Sequence, residues 1–376
     1  MDVRVADNAA QRDDIFRFRY KVYVLDLKKE VQGADAARQE IRDTEDETGI
    51  LLFTADRSGA VVGTLRLNVL SKGVSDDLRE LYGLDQFDDV PAASICVASR
   101  FVVAPEAAAA GAALSQYALG WALEHGIKLV FSYCSPHMVA SYEALGFRRY
   151  KDNFSDPVGY RVPMLLVLFD KDHLRRISSP LYPSIAPTSN ETNWNTFFQS
   201  HFPEYHLPVN PRMYPQDEFW ALLGDKLNSN PLESIPLFRG LTPEQATAVM
   251  EAGTIIPIKT GDTLLTAGET GREFYLVLKG MVGVFLPVVE KPISLLGPGE
   301  IVGEMAFLGQ TPRSADVLVL RDGEVMVLSE KDFLTLADRL PALASQVSLN
   351  LARILSERLA LTSRALVELQ KELTPA

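Results

Sequence analysis

The sequence predicts two folded regions of different class: an α/β (α+β) domain, then an all-β jelly roll with flanking helices. Three observations predict it. Residues 1–170 mix strand-like and helix-like runs. From Thr254 onward, short β-rich runs are punctuated by Gly, Pro or Asp at roughly 8–12-residue spacing, the pattern of a sandwich or barrel. Between them, "SSPLYPSIAPTSNETNWN" (178–195) is rich in Ser, Pro, Thr and Asn without periodicity, as a linker would be. At 376 residues and 47% hydrophobic content the chain is long and apolar enough for more than one core.

In order, "DVRVA" predicts a strand and residues 9–27 a helix. Strands follow at 50–56 and 60–70, joined by "DRSG" as a hairpin turn. A strand at 94–104, a helix at 106–125, a strand at 127–134, a helix at 136–145 and strands near 147 and at 161–169 complete a first domain, 1–178. A linker with short helices, among them "PQDEFWALLGDKL", is expected over 179–236. The roll spans 237–340 and opens on a helix with Thr242 as N-cap and Pro243 in its first turn. The last segment, 341–376, places Leu355, Leu359, Thr362, Leu366, Leu369 and Leu373 at alternating spacings of four and three, a coiled-coil-like seam suited to a homodimer.

Composition excludes several function classes. A net charge of −12 argues against a general nucleic-acid binder, which needs a basic face to displace counterions. No apolar stretch reaches the length of a bilayer span and the start lacks a signal pattern, so a cytoplasmic protein is expected. Cys96 and Cys134 form no CxxC pair and the histidines show no ligand spacing, so neither disulfide nor metal is expected.

The segment "VGEMAFLGQTPRSADV" (302–317) sets Glu304 and Arg313 around a short apolar turn. A glycine followed by one helical turn aims backbone N–H groups outward, where an anion is favoured, and Arg313 can grip an anion through parallel N–H bonds. A carboxylate beside a phosphate makes sense if it accepts from a hydroxyl, and a ligand offering both groups is a cyclic nucleotide. Gly303, Glu304, Met305, Ala306, Pro312, Arg313, Ser314 and Ala315 resemble the phosphate-binding cassette of cyclic nucleotide-binding domains, a likeness extending over about 237–345. It implies Glu304 on the ribose 2′-hydroxyl, Arg313 on the cyclic phosphate, the N–H groups near Met305 and Ala306 on the other phosphate oxygens, and Ser314 as a further donor. Cyclic AMP is expected as effector ahead of cyclic GMP. In the plainer alternative, Glu304 and Arg313 merely pair with each other. Activators of this type continue into a helix-turn-helix, which does not follow here, so the output is expected upstream; the terminal helix is expected to cap the base and act as the switch.

The first domain's "FVVAPEAAAAGAALSQYALGWALEHG" and "SYEALGF" resemble the GNAT acyltransferase fold, which splays two parallel strands around a thioester arm. Arg19 with Tyr23 in "FRFRYKVYVLD", Asp43 with Asp46 in "RDTED", Arg66 in "GTLRLNVL", Arg100 in "SRFVV" and the run "VPMLLVLFDKDHLRRISSPL" narrow the resemblance to autoinducer synthases and N-acyl amino acid synthases. It implies attack of an amine on a thioester, with Tyr142 as acid for the departing thiolate; a packed helix aromatic is the alternative for Tyr142. Arg66 and Arg100, costly on strands unless paired, are expected to meet Asp43 and Asp46 in a network that shapes the cleft. Arg19 is expected to hold an amino-acid carboxylate or to brace its helix.

Two departures carry weight. The region around Gly111 lacks the Arg/Gln-x-x-Gly-x-Gly/Ala loop that cradles coenzyme A pyrophosphate, which favours acyl carrier protein over a coenzyme A thioester as donor. Val97 stands where autoinducer synthases carry a glutamate, so no general base is identified. "RRYK" (148–151) with Lys28, Lys29 and Arg38 is either a carrier-protein dock or a solvated face. The expectation is a cyclic nucleotide-regulated N-acyltransferase using a small-molecule amine. The alternatives are a cyclic AMP-regulated protein lysine acetyltransferase and a non-catalytic sensor with a degenerate acyltransferase fold.

Overall fold

The computed structural model describes residues 2–29, 31–188, 194–205, 216–227, 229–309 and 311–373. The chain divides into two units, Met1–His206 and Leu207–Ala376.

The first unit runs β1 (Val3–Val5), α1 (Ala9–Tyr20), β2 (Ala34–Asp35), β3 (Glu40–Ile41), α2 (Glu45–Thr48), β4 (Ile50–Ala55), β5 (Val61–Val69), α3 (Asp76–Tyr82), β6 (Ile95–Val103), α4 (Ala108–Glu124), β7 (Leu129–Cys134), α5 (Val139–Leu145), β8 (Arg148–Arg149), β9 (Phe154–Asp156), β10 (Gly159–Val167), α6 (Lys171–Arg176), α7 (Tyr182–Ile185) and α8 (Trp194–His201). The main sheet has the order β1-β4-β5-β6-β7-β10-β8, with β9 on β10. Its neighbours are antiparallel except β6 and β7, which the α4 crossover makes parallel. Asn8 caps α1 by accepting the Gln11 N–H at 3.0 Å. Asp56 closes the β4–β5 hairpin, its Oδ1 accepting the backbone N–H groups of Ser58 and Ala60. Gly146, at φ +119°, ends α5 where a Cβ would lie 2.3 Å from Leu174.

Two features of this sheet position the site. The β6–β7 pairing stops at Val97–Phe131, although β6 runs on to Val103 and β7 to Cys134. At the same level Arg100 takes φ +53°, and the β5–β6 register slips between Thr64–Val102 and Arg66–Ser99. A bulge holding a non-glycine residue in the left-handed region costs ~1–3 kcal/mol and bends the strand away from its neighbour.

The second unit comprises α9 (Gln216–Leu227), α10 (Pro231–Ser234), α11 (Pro243–Ala252), β11 (Thr254–Ile258), β12 (Thr263–Leu265), β13 (Glu273–Phe285), β14 (Ser294–Leu296), β15 (Ile301–Val302), α12 (Glu304–Gly309), β16 (Asp316–Ser329), α13 (Glu330–Arg339) and α14 (Pro341–Leu373). Its sheet has the order β11-β16-β13-β14, with β12 on β16 and β15 on β13. Thr242 and Gln245 form the full capping box at the start of α11.

Three expectations change. The stretch 179–236 carries short helices, as expected, but is more than a linker: Trp194, Phe197, Phe198 and Phe202 lie in the first unit's core, and Phe219, Leu223 and Ile235 in the second's. The aromatic side chains bury enough apolar area to order a polar stretch. The terminal helix is not a detachable switch along its whole length, because Leu343, Val347, Leu351 and Ile354 belong to the roll's core. Beyond that point the expected seam is open, with Leu359 69% exposed and Leu366 57%; the side chains of Leu369 and Leu373 lie outside the described residues. Finally, "RRYK" is no docking patch. Arg148 pairs with Asp170 at 2.8 Å and stacks over Phe198, Arg149 pairs with Glu143 at 2.9 Å, and Lys151 donates to the carbonyls of Glu80 and Leu81.

Candidate functional site

Strand alternation sorts the first unit's residues onto two faces of the sheet. On one face, Leu65, Leu67, Cys96, Ala98, Phe101, Val130, Ser132, Leu166 and Leu168, with α4 residues such as Trp121 and α5 residues Tyr142 and Leu145, enclose an apolar cavity of about 120 Å³. Ser132 Oγ donates to the Ala98 carbonyl at 2.9 Å just beyond the last β6–β7 pair, and Tyr142 hydrogen-bonds Ser132. Burial pushes the Tyr142 phenol upward, with Cys134 adding to the rise, so it stays protonated at neutral pH. Cys96 also lines the cavity; burial lifts its thiol to about 12, so it stays a neutral thiol at neutral pH.

The opposite face carries the ion network. Arg66 is paired with Asp43 and lies 3.0 Å from Asp46, and its Nε donates to Ser99 at 3.1 Å. Arg100 Nη2 reaches Asp43 Oδ2 at 2.6 Å, and Arg19 Nη1 reaches Asp46 Oδ1 at 2.8 Å. The carboxylates are presented by the turn into α2, where the Asp43 N–H donates to Asp46 Oδ2 at 3.0 Å and Asn68 Nδ2 holds the Glu45 carbonyl at 2.8 Å. Burial alone would raise the Asp43 pKa, but Arg66 and Arg100 outweigh it and hold the carboxyl below its ordinary value. Burial likewise works against charge on Arg100, and Asp43 with Tyr23 more than offsets it.

The structure thus gathers Arg19, Asp43, Asp46, Arg66 and Arg100 into one cluster and places Tyr142 at the edge of the cavity. It also distinguishes them by access. Arg19 is 0% exposed and pairs with Asp46, whereas the side chains of Arg100 and Asp43 are 17% and 22% exposed. Val97, where a base is absent, is wholly buried in the aromatic core.

In the second unit, Glu304 and Arg313 do not pair with each other. Arg313, its side chain 2% exposed, lies 2.9 Å from Glu273 and donates to the Gly303 carbonyl at 2.9 Å. Glu304 is held by Arg358 of α14, whose Nη1 meets Oε1 at 2.6 Å while Nη2 donates to the Ile301 carbonyl at 2.6 Å. Gly303 takes φ +89°, and a Cβ there would lie 2.7 Å from the Arg313 guanidinium. Among the described residues Arg313 Nε is buried without a hydrogen-bond partner. A buried donor left over beside a helix start fits a cyclic phosphate, and the buried carboxylate that opens the same helix fits a sugar hydroxyl. Met305 and Ser314 are exposed, with the Ser314 hydroxyl against the Met305 sulfur, and Ala306 is buried in the turn.

Glu273 and Arg358 were not singled out by sequence. Each meets its partner only because the fold joins segments 40 and 54 residues apart.

Comparison with known proteins follows this division. Residues 14–170 match the family N-acyl amino acid synthase FeeM, and residues 255–339 match the family Cyclic nucleotide-binding domain. The chain is 36% identical over 129 residues to the Cyclic AMP receptor protein of Thermus thermophilus, covering 34% of this chain and 60% of that protein. It is 31% identical over 102 residues to the cAMP-dependent protein kinase regulatory subunit of Aspergillus niger, covering 27% of this chain and 25% of that protein. The chain therefore spans less than two thirds of these curated relatives. A solved structure of TofI in a ternary complex with an inhibitor and MTA overlaps at TM-score 0.39 and 19% identity, over 49% of this chain and all of that one. The first unit thus carries an N-acyl amino acid synthase-type acyltransferase domain and the second a cyclic nucleotide-binding domain. Among the described residues no helix is long and apolar enough to cross a membrane.

Proposed function

We propose that this fusion of an N-acyl amino acid synthase domain with a cyclic nucleotide-binding domain moves a fatty acyl group from a carrier-protein thioester to the amine of a small molecule such as an amino acid, under control of a cyclic nucleotide, cyclic AMP ahead of cyclic GMP. The observation that carries the reading is the split between β6 and β7, with an apolar cavity on one face and a charged cleft on the other.

A thioester lying in the split would place its acyl chain among Leu65, Leu67, Trp121 and Leu166 and its carbonyl beside the β6 backbone left without a β7 partner. The amine nitrogen attacks the carbonyl carbon, the C–S bond breaks, and the nitrogen's surplus proton is released as the thiolate is protonated. Tyr142, protonated at neutral pH, donates a hydrogen bond to the departing sulfur. Arg66 and Arg100, fixed by Asp43 and Asp46, set the charge of the amine-binding face; Arg19 positions Asp46 from behind. In the second unit Gly303, Met305, Ala306, Arg313 and Ser314 take the cyclic phosphate and Glu304 the ribose hydroxyl. Because Glu304 is tied to Arg358, nucleotide binding changes how α14 is held, and this is the regulatory contact. The exposed Leu359 and Leu366 give α14 the means to pair with a second copy.

The apolar lining of the cavity suits an aliphatic acyl chain. The test is acyl transfer by the full chain from long-chain acyl carrier protein and from acetyl-CoA, to a panel of amino acids and to protein lysine, followed by mass spectrometry. N-acyl amino acids from the long-chain carrier support the reading. Acetylated lysine would favour the lysine acetyltransferase, and no transfer would favour the sensor.

A further inference from the structure

Arg19 was the sequence's candidate for gripping an acceptor carboxylate, yet it is fully enclosed, which leaves that role open. We propose that Arg161 of β10, standing with Tyr133 on the charged face of the split sheet, selects acceptors that carry a carboxylate; the inference rests on the N-acyltransferase reading above.

Register fixes the placement. Pro163 pairs with Tyr133 and Val162 with Cys134, so Arg161, two residues before Pro163, shares the Tyr133 face. That is the face of Arg66, Ser99 and Arg100, opposite the Ser132 and Leu166 face that lines the apolar cavity. The Arg161 guanidinium lies 5.6 Å from the centre of the Tyr133 ring. It is oriented by Asp156, which accepts from Nε at 3.0 Å, and by Ser135, whose Oγ accepts from Nη1 at 2.7 Å. These contacts use two of its five N–H donors, and the side chain keeps 11% exposure. Tyr23 and Tyr133 each interact electrostatically with both Arg100 and Arg161, so the two guanidiniums lie near the same pair of phenols.

Charge separates their roles. Arg66 and Arg100 share Asp43, which both contact directly, and Arg100 serves to hold the bulge. Arg161 has its own counter-ion, braced within the β9–β10 hairpin, and presents a planar donor fork beyond it. A guanidinium stacked on a phenol and backed by one carboxylate suits bidentate recognition of a second carboxylate. An amino acid gripped there by its carboxylate would hold its amine toward the split, where the thioester lies.

The experiment compares matched acceptors that differ only in the carboxylate: L-leucine with isoamylamine, and L-phenylalanine with phenethylamine. For the full-length wild type, Arg161→Gln and Arg161→Lys, kcat and KM are measured with a long-chain acyl carrier protein, and binding of each acceptor is measured separately by NMR. The wild type should prefer the carboxylated member of each pair. Arg161→Gln should raise KM for the amino acids by about 10- to 100-fold and leave the amines unchanged, erasing the preference, with Arg161→Lys in between. Equal losses for both members would make Arg161 a brace only and overturn the proposal, as would a wild type indifferent to the carboxylate. Turnover and binding fail separately. If no small amine is acylated but NMR shows carboxylate-dependent binding lost in Arg161→Gln, the acyltransferase reading falls and the Arg161 site stands. If neither is seen, both fall.

Discussion

Replacing Arg313 with alanine probes the nucleotide site at its most enclosed point. The guanidinium has two neighbours in the roll, the Gly303 carbonyl and Glu273, and a buried Nε donor with no partner. Removing a buried charged contact to a phosphate costs about 2–5 kcal/mol of binding, or roughly 30- to 5,000-fold in Kd. The same change removes the Arg313 side of the ion pair with Glu273, and breaking a buried ion pair from one side costs about 3–5 kcal/mol of stability. Glu273 is about one-tenth exposed, so the smaller end applies. The two losses separate in one experiment: calorimetric titration of cyclic AMP and cyclic GMP reports binding, and circular dichroism melting reports the fold. Pairing Arg313→Ala with Glu273→Gln should recover most of the lost melting temperature without recovering affinity. A folded Arg313→Ala protein that binds nucleotide as tightly as the wild type would refute the site.

Three further outcomes follow from the same geometry. Arg358→Ala removes the two hydrogen bonds that Arg358 makes to Glu304 and Ile301, so acyl transfer should lose its response to nucleotide, a coupling of typically ~1–3 kcal/mol, while nucleotide still binds by calorimetry; an undiminished response would place the coupling elsewhere. Asp43→Asn leaves Arg66 and Arg100 short of charge and frees the bulge, and should cut kcat/KM for acyl transfer by about 100-fold or more, with activity near wild type as the contrary result. His173 is buried as the neutral imidazole, with its pKa lowered to about 3 by burial and by Arg148 and Arg176. The unfolded chain then binds more protons between an ordinary histidine pKa of about 6.5 and that value, so stability should fall as pH is lowered through this window. Melting curves of His173→Gln should show a shallower decline over that range, and an unchanged slope would assign the acid sensitivity to other groups.

What the sequence disclosed depended on how local the cause was. Thr242 with Pro243 announced a helix start, and "DRSG" a hairpin, because capping and turn chemistry act within four residues. The charge pairs of Asp43 and Asp46 with Arg66 and Arg100 were foreseeable because isolated charges on buried strands must find partners. Glu273 and Arg358 were not, since many charges could in principle reach Arg313 or Glu304 and only the fold selects among them. The left-handed Arg100 has no local signature at all: arginine does not favour that conformation, and Asp43 and the bulged register hold it there. The region after 179 misled because its Ser, Pro and Asn content hid Trp194, Phe197 and Phe198, whose spacing places them on one side of a short helix packed into the core.

A chain that both transfers acyl groups and answers to a cyclic nucleotide should show the two properties in one assay. The most direct test is the rate of N-acyl product formation by the full-length protein, from long-chain acyl carrier protein and an amino acid, measured with none and with saturating cyclic AMP or cyclic GMP. Product should form, at a rate that changes with nucleotide in the wild type and is constant in Arg313→Ala. Product formed at one rate in every condition, or no product in any, would contradict that expectation.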